Sequence, residues 1–317
     1  MALPDHIRQR LRLPVISAPM FRVSGPELVV AACKAGVIGA FPTANCRSVD
    51  ELDQWMHSMR NALQPSDAPF CPNLIVRREG MREHLECLLR HSVEMVITSV
   101  GSPEAVVGPL HDVGCLVFAD VASLRHAHKA IAAGADGLVL LSSGAGGQTG
   151  WVNGFAFARA VRQFFDGPIV MAGGMSDGQA VWAARALGCD LAYMGTRFIA
   201  THESMAEAGY KRMLVASEFD DVMLSKAFTG LETNMLRPSI IAAGLDPAAI
   251  PASVGKEGAA MLFGNGAADA APKRRKNIWS AGHSVSGVDA VCSVGALVEK
   301  TAREYEAARV VSMRSGV

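Results

Sequence analysis

The chain has 317 residues, 50% of them hydrophobic, enough for one large α/β body or two smaller ones. Lys+Arg and Asp+Glu both number 30, so the basic field that nucleic-acid or anionic-membrane binding needs is absent and a small-molecule partner is expected. The 7 cysteines include no C-x-x-C pair, which gives no zinc motif and no disulfide framework and predicts reduced thiols.

The opening "MALPDHIRQRLRLPV" carries charge but no apolar signal core, and no run approaches the roughly 18 apolar residues of a membrane helix. A cytoplasmic protein is expected. Eight short β-branched runs follow in order: "PVISA" from Pro14, "VIGAF" from Val37, "NLIV" from Asn73, "EMVITS" from Glu94, "CLVFAD" from Cys115, "GLVLLS" from Gly137, "PIVMAG" from Pro168 and "LAYMGT" from Leu191. Segments with helical spacing lie between them, among them "SGPELVVAACKAG", "SVDELDQWMHSMRNAL", "MREHLECLLRHS", "SLRHAHKAIAAGA" and "SDGQAVWAARALGCD". Continuous apolar strands with crossover helices imply a parallel sheet, and eight units close a barrel, so a TIM (β/α)8 barrel is predicted over an open Rossmann sheet. "AAGAD" and "ALGCD" each place a glycine just past a helix, the expected C-terminal cap.

Beyond residue 204 the β-branched rhythm stops. Residues 205–276 are predicted to form a mainly helical cap followed by a mobile linker, "GKEGAAMLFGNGAADAAPKRRKN", whose KRRK run reads as a solvated patch. Residues 277–317, with "IWSAGHSVSGV" and a closing amphipathic helix, are expected to pack back on the 1–204 barrel.

The strand ends place the chemistry, because a barrel of this kind works at the C-terminal ends of its strands. After the seventh run, "MAGGMSDG" offers Gly173 and Gly174 for close backbone approach to an anion and Ser176 or Asp177 as a helix cap. "MGTRF" repeats the device with Gly195 and Thr196. Two such loops side by side suggest a phosphate cradle. No Walker motif and no G-x-G-x-x-G opening a helix is present, so flavin mononucleotide fits better than ATP or a Rossmann-bound dinucleotide. Pro19 and Met20 in "SAPMF" end the first strand, and Asn73 offers an amide or forms a turn.

Taken together, "APM" (18–20), "NL" (73–74), "GAGGQTG" (144–150), "AGGMSDG" (172–178), "YMGTRFIAT" (193–201) and "IWSAG" (278–282) resemble the nitronate monooxygenase family, once called 2-nitropropane dioxygenases. That family also holds FMN-dependent enoyl-thioester reductases and an NADH:quinone reductase. The resemblance runs in order over nearly the whole chain. It implies non-covalent FMN under a small helical roof, with Ala18, Pro19 and Met20 along the isoalloxazine, Asn73 at the ring or ribityl chain, Gly146, Gly147 and Gln148 in a loop beside the flavin, and Gly173, Gly174, Gly195 and Thr196 at the phosphate.

One departure stands out. Where nitronate-oxidising relatives carry a histidine in A-G-G-H-x-G, this chain has Gln148, whose amide hydrogen-bonds but takes no proton at neutral pH. His283, after "IWSAG", is the candidate replacement, or else a surface or capping histidine. Asp120, ending "VFAD", either orders Gln148 or a substrate hydroxyl or caps the next helix, and the cap is the simpler reading. His126 and His128 are expected to be solvated. The leading expectation is oxidation of alkyl nitronates with O2 to a carbonyl compound and nitrite. The alternatives are NAD(P)H-dependent reduction of an enoyl thioester or quinone, and a flavin-binding barrel without turnover.

Overall fold

The computed structural model describes residues 3–250 and 277–314. The linker "GKEGAAMLFGNGAADAAPKRRKN" and its KRRK run lie outside them, apart from Asn277. Strands β1 (Val15–Ser17), β2 (Ile38–Pro42), β3 (Phe70–Ile75), β4 (Met95–Ser99), β5 (Leu116–Val121) and β6 (Gly137–Leu141) pair in sequence and in parallel. A two-residue strand, β7 (Gly147–Gln148), stands outside the barrel, and β8 (Ile169–Ala172) and β9 (Leu191–Met194) continue it. The sheet closes where Ile16 of β1 faces both Ile38 of β2 and Tyr193 of β9. Each of the eight barrel strands falls on one of the eight predicted runs, because strands buried on both faces must be apolar throughout.

The barrel interior is filled by Ile16, Ile38, Ala40, Cys71, Met95, Ile97, Phe118, Val139, Val170 and Leu191. Phe118 faces Gly137 across the β5–β6 ladder, and any Cβ at 137 would strike its ring. Leu3 and, in the first helix α1 (Asp5–Arg8), Ile7 belong to the same cluster, so the charged N-terminal stretch turns two apolar side chains inward to plug the base.

Helices α2 (Pro26–Lys34), α3 (Val49–Ala62), α4 (Met81–Arg90), α5 (Glu104–Asp112), α6 (Leu124–Ala132), α7 (Gly154–Val161) and α8 (Gly178–Ala186) clothe the outside. Ser48, Ser123, Asn153 and Asp177 cap α3, α6, α7 and α8 by accepting backbone N–H bonds. Gly134 and Gly188 take φ of 90° and 96° just past their helices, as predicted. After β9 only a single turn follows, α9 (Thr196–Ile199). The eighth helical place is taken by the C-terminal α12 (Val294–Arg314), which lies against α8 and α2 and buries Val294, Leu297 and Val298.

Between α9 and α12 the chain builds a cap from α10 (Ala208–Val215), β10 (Val222–Ser225), β11 (Thr233–Leu236) and α11 (Arg237–Ala242). A mainly helical cap was expected. Beside these helices the described part also carries an antiparallel sheet in the order β10-β11-β7. "VMLS" and "TNML" are too short for periodicity to reveal, and they are strands because each finds a partner. Trp279 stacks on Tyr210 with ring centroids 5.0 Å apart, and Ser280 bridges to Met235, so this stretch joins the cap while α12 joins the barrel.

The α8–α12 contact depends on Gly178, where a Cβ would collide with the backbone of Thr301 and Tyr305 and reach within 2.6 Å of the Glu304 carbonyl carbon. Gly178 N–H also donates to Glu304 Oε2 at 3.0 Å. Gly178→Ala is expected to cost about 1–3 kcal/mol by overpacking. A urea unfolding midpoint equal to that of the parent would refute this.

Candidate active site

Four loops at the C-terminal rim of the barrel are tied to one another by side chains and by glycine-mediated contacts. The first, after β1, contains Ala18, Pro19 and Met20. Asn45, from the short turn Thr43–Asn45 after β2, fastens it: Nδ2 donates to the Met20 and Ser24 carbonyls at 3.1 and 2.8 Å, and Oδ1 accepts from Arg22 N–H at 2.8 Å. Arg22 has φ of 60°, a conformation that costs a non-glycine residue on the order of 1 kcal/mol and that the Asn45 clip holds in place. Ser24 Oγ completes the turn by accepting from Met20 N–H and donating to the Ala18 carbonyl.

The glycine-rich loop after β6 is held from the cap side. Asn234 Nδ2 donates to the Ala145 carbonyl at 2.8 Å, His283 N–H donates to the Gly144 carbonyl at 2.9 Å, and Gly282 N–H donates to Thr196 Oγ1 at 3.0 Å. A Cβ on Gly146 would lie 2.7 Å from Gly282 N, so glycine is required for the two backbones to touch. Gln148 pairs through its backbone with Thr233 and leaves its side chain exposed, without a hydrogen-bond partner among the described residues.

The loops after β8 and β9 complete the rim. Gly173, at φ 110°, packs where a Cβ would sit 2.5 Å from Ser142 Oγ, whereas a Cβ on Gly174, at φ 73°, would meet nothing within 4 Å. Gly174 therefore fronts open space. Asp177 caps α8, as one of the two predicted caps. A Cβ on Gly195 would lie 3.6 Å from both Ala18 Cβ and Met20 Sδ, which brings the first and last rim loops together. Thr196 is buried, and with the Gly282 bond made its hydroxyl still has a proton to donate.

Polar groups line the top of the barrel interior. Asn73 lies in the middle of β3 rather than in a turn, and Ser99 Oγ donates to its Oδ1 at 3.1 Å. Asp120 does not cap α6, since Ser123 Oγ does so by accepting from His126 N–H. Instead Asp120 Oδ1 is buried with no hydrogen-bond partner among the described residues, as is the hydroxyl of Tyr193. Burial pushes the Asp120 carboxyl up to about 7 and the Tyr193 phenol well above its ordinary value, the latter helped by Asp120 and Cys71. Unpartnered polar atoms turned toward an open rim are what a site shaped for a polar ligand leaves behind.

His283 is exposed, and a Cβ on Gly144 would lie 2.8 Å from its Nδ1, so it stands beside the loop that carries Gln148. His128 stacks on Phe164 at 4.0 Å between centroids, on the outer helices and away from the rim. Sequence reasoning missed Asn45, Ser24 and Asn234, ordinary polar residues whose role depends on distant carbonyls, and it missed Tyr193 inside a strand run. Among the described residues no helix is long and apolar enough to cross a membrane.

Asp120 also carries a pH dependence. Below about pH 4 the carboxyl is protonated both folded and unfolded and costs nothing. Between about 4 and 7 only the unfolded chain ionises, so stability falls as pH rises through that window, and above it a fixed cost on the order of 2–4 kcal/mol remains. Asp120→Asn is expected to raise the urea midpoint at pH 8 and to leave it unchanged at pH 4, and equal midpoints at pH 8 would contradict the burial argument.

A model of the nitronate monooxygenase family matches residues 72–304. Among curated proteins, the chain is 28% identical over 228 residues to a (3aS,4S,5R,7aS)-5-hydroxy-7a-methyl-1-oxo-octahydro-1H-indene-4-carboxyl-CoA dehydrogenase of Rhodococcus jostii, covering 72% of this chain but only 64% of that relative. Among solved structures, a nitroalkane oxidase from Streptomyces ansochromogenes superposes with a TM-score of 0.80 at 25% identity, covering 97% of this chain and 99% of the other. FabK from Thermotoga maritima gives a TM-score of 0.84 at 24% identity over 99% and 98%, a likeness of fold. With the family model spanning most of the barrel, the cap and the start of α12, the chain belongs to the nitronate monooxygenase family of oxidoreductases.

Proposed function

We propose that this chain is an FMN-dependent oxidoreductase that converts alkyl nitronates and O2 to a carbonyl compound and nitrite. The family match and the likeness to a nitroalkane oxidase over the full chain support the reaction class. The observation that carries the substrate's protonation state is Gln148: a rim side chain exposed and unpartnered among the described residues, able to hydrogen-bond an anion but unable to remove a proton.

The groups at the rim suit FMN on two counts. Gly174 offers backbone toward open space beside buried Thr196, as a phosphate requires, and the unpartnered Asp120 Oδ1 and Tyr193 hydroxyl face inward below. Gly173, Gly174, Gly195 and Thr196 would hold the phosphate. Ala18, Pro19 and Met20 would flank the ring, Asn73 would meet the ring or ribityl chain, and Gly146 and Gly147 would let the loop pass close by. Bound FMN would supply the electron-transfer chemistry. Gln148 orients an already ionised substrate by donating Nε2–H to an anionic oxygen. His283, an exposed imidazole beside the same loop, is the side chain best placed to hand protons in and out, and Asp120, whose carboxyl burial pushes up to about 7, is the second.

A second reading is reduction of a thioester or quinone by NAD(P)H. The lack of a base at position 148 is compatible with it, and the carboxyl-CoA compound in the name of the Rhodococcus jostii relative, a dehydrogenase, points to the thioester class of substrate though not to the direction of electron flow. Anaerobic stopped-flow mixing separates the two: ethylnitronate is expected to bleach the flavin, and bleaching by NAD(P)H alone would reverse the preference. Gln148→His is expected to confer slow turnover of neutral nitroalkanes, with general acid–base assistance typically adding about 10²–10⁴-fold. No gain in that variant would remove position 148 as the determinant of substrate protonation.

A further inference from the structure

On the outside of the barrel, α3 and α4 bring together three groups that the reaction does not use. Asp53 and His57 stand one turn apart on α3, and His91 is the residue that ends α4. His91 Nε2 lies 3.0 Å from Asp53 Oδ1, His57 Nε2 lies 3.5 Å from Asp53 Oδ2, and the ligating atoms of the three residues all fall within 4.8 Å of one another. The two imidazoles meet edge to face at 4.7 Å between centroids. His91 is buried, Asp53 half-buried and His57 exposed, so the cluster is anchored at its base and open to solvent at its mouth.

We propose that Asp53, His57 and His91 form a binding site for one divalent transition-metal ion of the zinc type, a clip between α3 and α4. Metal–nitrogen and metal–oxygen bonds of about 2.0–2.2 Å in a tetrahedral set put neighbouring ligand atoms roughly 3.3–3.5 Å apart; the two histidine–carboxylate spacings of 3.0 and 3.5 Å bracket that value, and the remaining pair lies within 4.8 Å, a short side-chain adjustment away. Two imidazoles and one carboxylate suit Zn2+, Co2+ or Ni2+, whereas Mg2+ and Ca2+ prefer oxygen sets. The fourth position is left to water. For Nε2 of His91 to become a ligand its ring must carry its one proton on Nδ1, so a proton directed from Nε2 at Asp53 in the metal-free protein exchanges through solvent to Nδ1 and the ion binds a neutral imidazole.

The site has one built-in competitor, the Arg90 guanidinium 3.4 Å from Asp53 Oδ1, with a side chain mostly in solvent. The Cys87 thiol, 3.8 Å from the same oxygen, is buried. α4 leads from the loop after β3 to the start of β4, so its C-terminal end lies at the base of the barrel, the face that serves stability. The ion would therefore tie two helices together and leave the rim untouched.

Chelator-treated full-length protein titrated with Zn2+ is the test, read by calorimetry and thermal unfolding. One equivalent is expected to bind, and Zn2+ at a hundred times its Kd is expected to raise the Tm by about 5 °C, with no effect of Mg2+. His57→Ala, at an exposed position that folding does not need, and Asp53→Asn are each expected to weaken binding at least ten-fold, and Arg90→Ala to tighten it. Absence of a Zn2+-dependent shift in the parent overturns the site. So does His57→Ala binding Zn2+ as tightly as the parent, which would put the ion on other histidines or thiols.

Discussion

The backbone of residues 144–147 can lie against that of residues 281–283 only because Gly144, Gly146 and Gly282 have no side chains at the crossing. That contact is the seam between barrel and cap. Once it is made, three backbone carbonyls and hydroxyls that would otherwise be buried unpaired find donors: Gly144 from His283, Ala145 from Asn234, and Thr196 from Gly282. The short β7–β11 ladder extends the seam by two residues and sets the direction in which the loop presents Gln148. A bulky residue at any of the three glycines would push the cap off the rim, whatever else stayed intact.

The rest of the architecture follows from closing a parallel sheet whose last helix arrives late. After β9 the chain makes one turn, leaves to build the cap, and returns as α12 to occupy the gap between α8 and α2. Gly178 lets that returning helix come within backbone distance of α8, and Glu304 caps an α8 amide across the contact. The cap is thus fixed at both ends by the barrel. A roof mounted in this way can hold the rim loops in register while its far edge varies, which suits a site whose substrate differs among family members.

The rim also shows how a buried polar layer is kept above an apolar core. Phe118 and its neighbours fill the middle of the barrel, and Asn73, Ser99, Asp120 and Tyr193 stand at its upper end. Asn73 and Ser99 satisfy each other. Asp120 and Tyr193 each keep a polar atom without a partner among the described residues, a cost that a fold tolerates where a ligand supplies the missing bonds.

Much of this was legible in the residue pattern, because the eight strands, the Asp177 cap and the glycines at 134 and 188 rest on interactions within a few residues. The glycine loops that make the rim were legible for the same reason. Asp120 was read as a cap because strand alternation, which turns it inward, is masked when both faces of a strand are apolar. Asn45 reaching 23 residues to Arg22, Asn234 reaching 89 to Ala145, and Gly178 meeting Glu304 across 126 residues have no local trace. Nor does the Asp53, His57 and His91 cluster, whose members share no motif because α3 and α4 supply them separately. By itself the sequence determined which segments are strands and helices and where glycines gather at the rim, since backbone preference and burial are local in origin. Only the tertiary structure decided which distant groups meet, since a side chain's partner across the fold depends on closure of the barrel and return of the last helix.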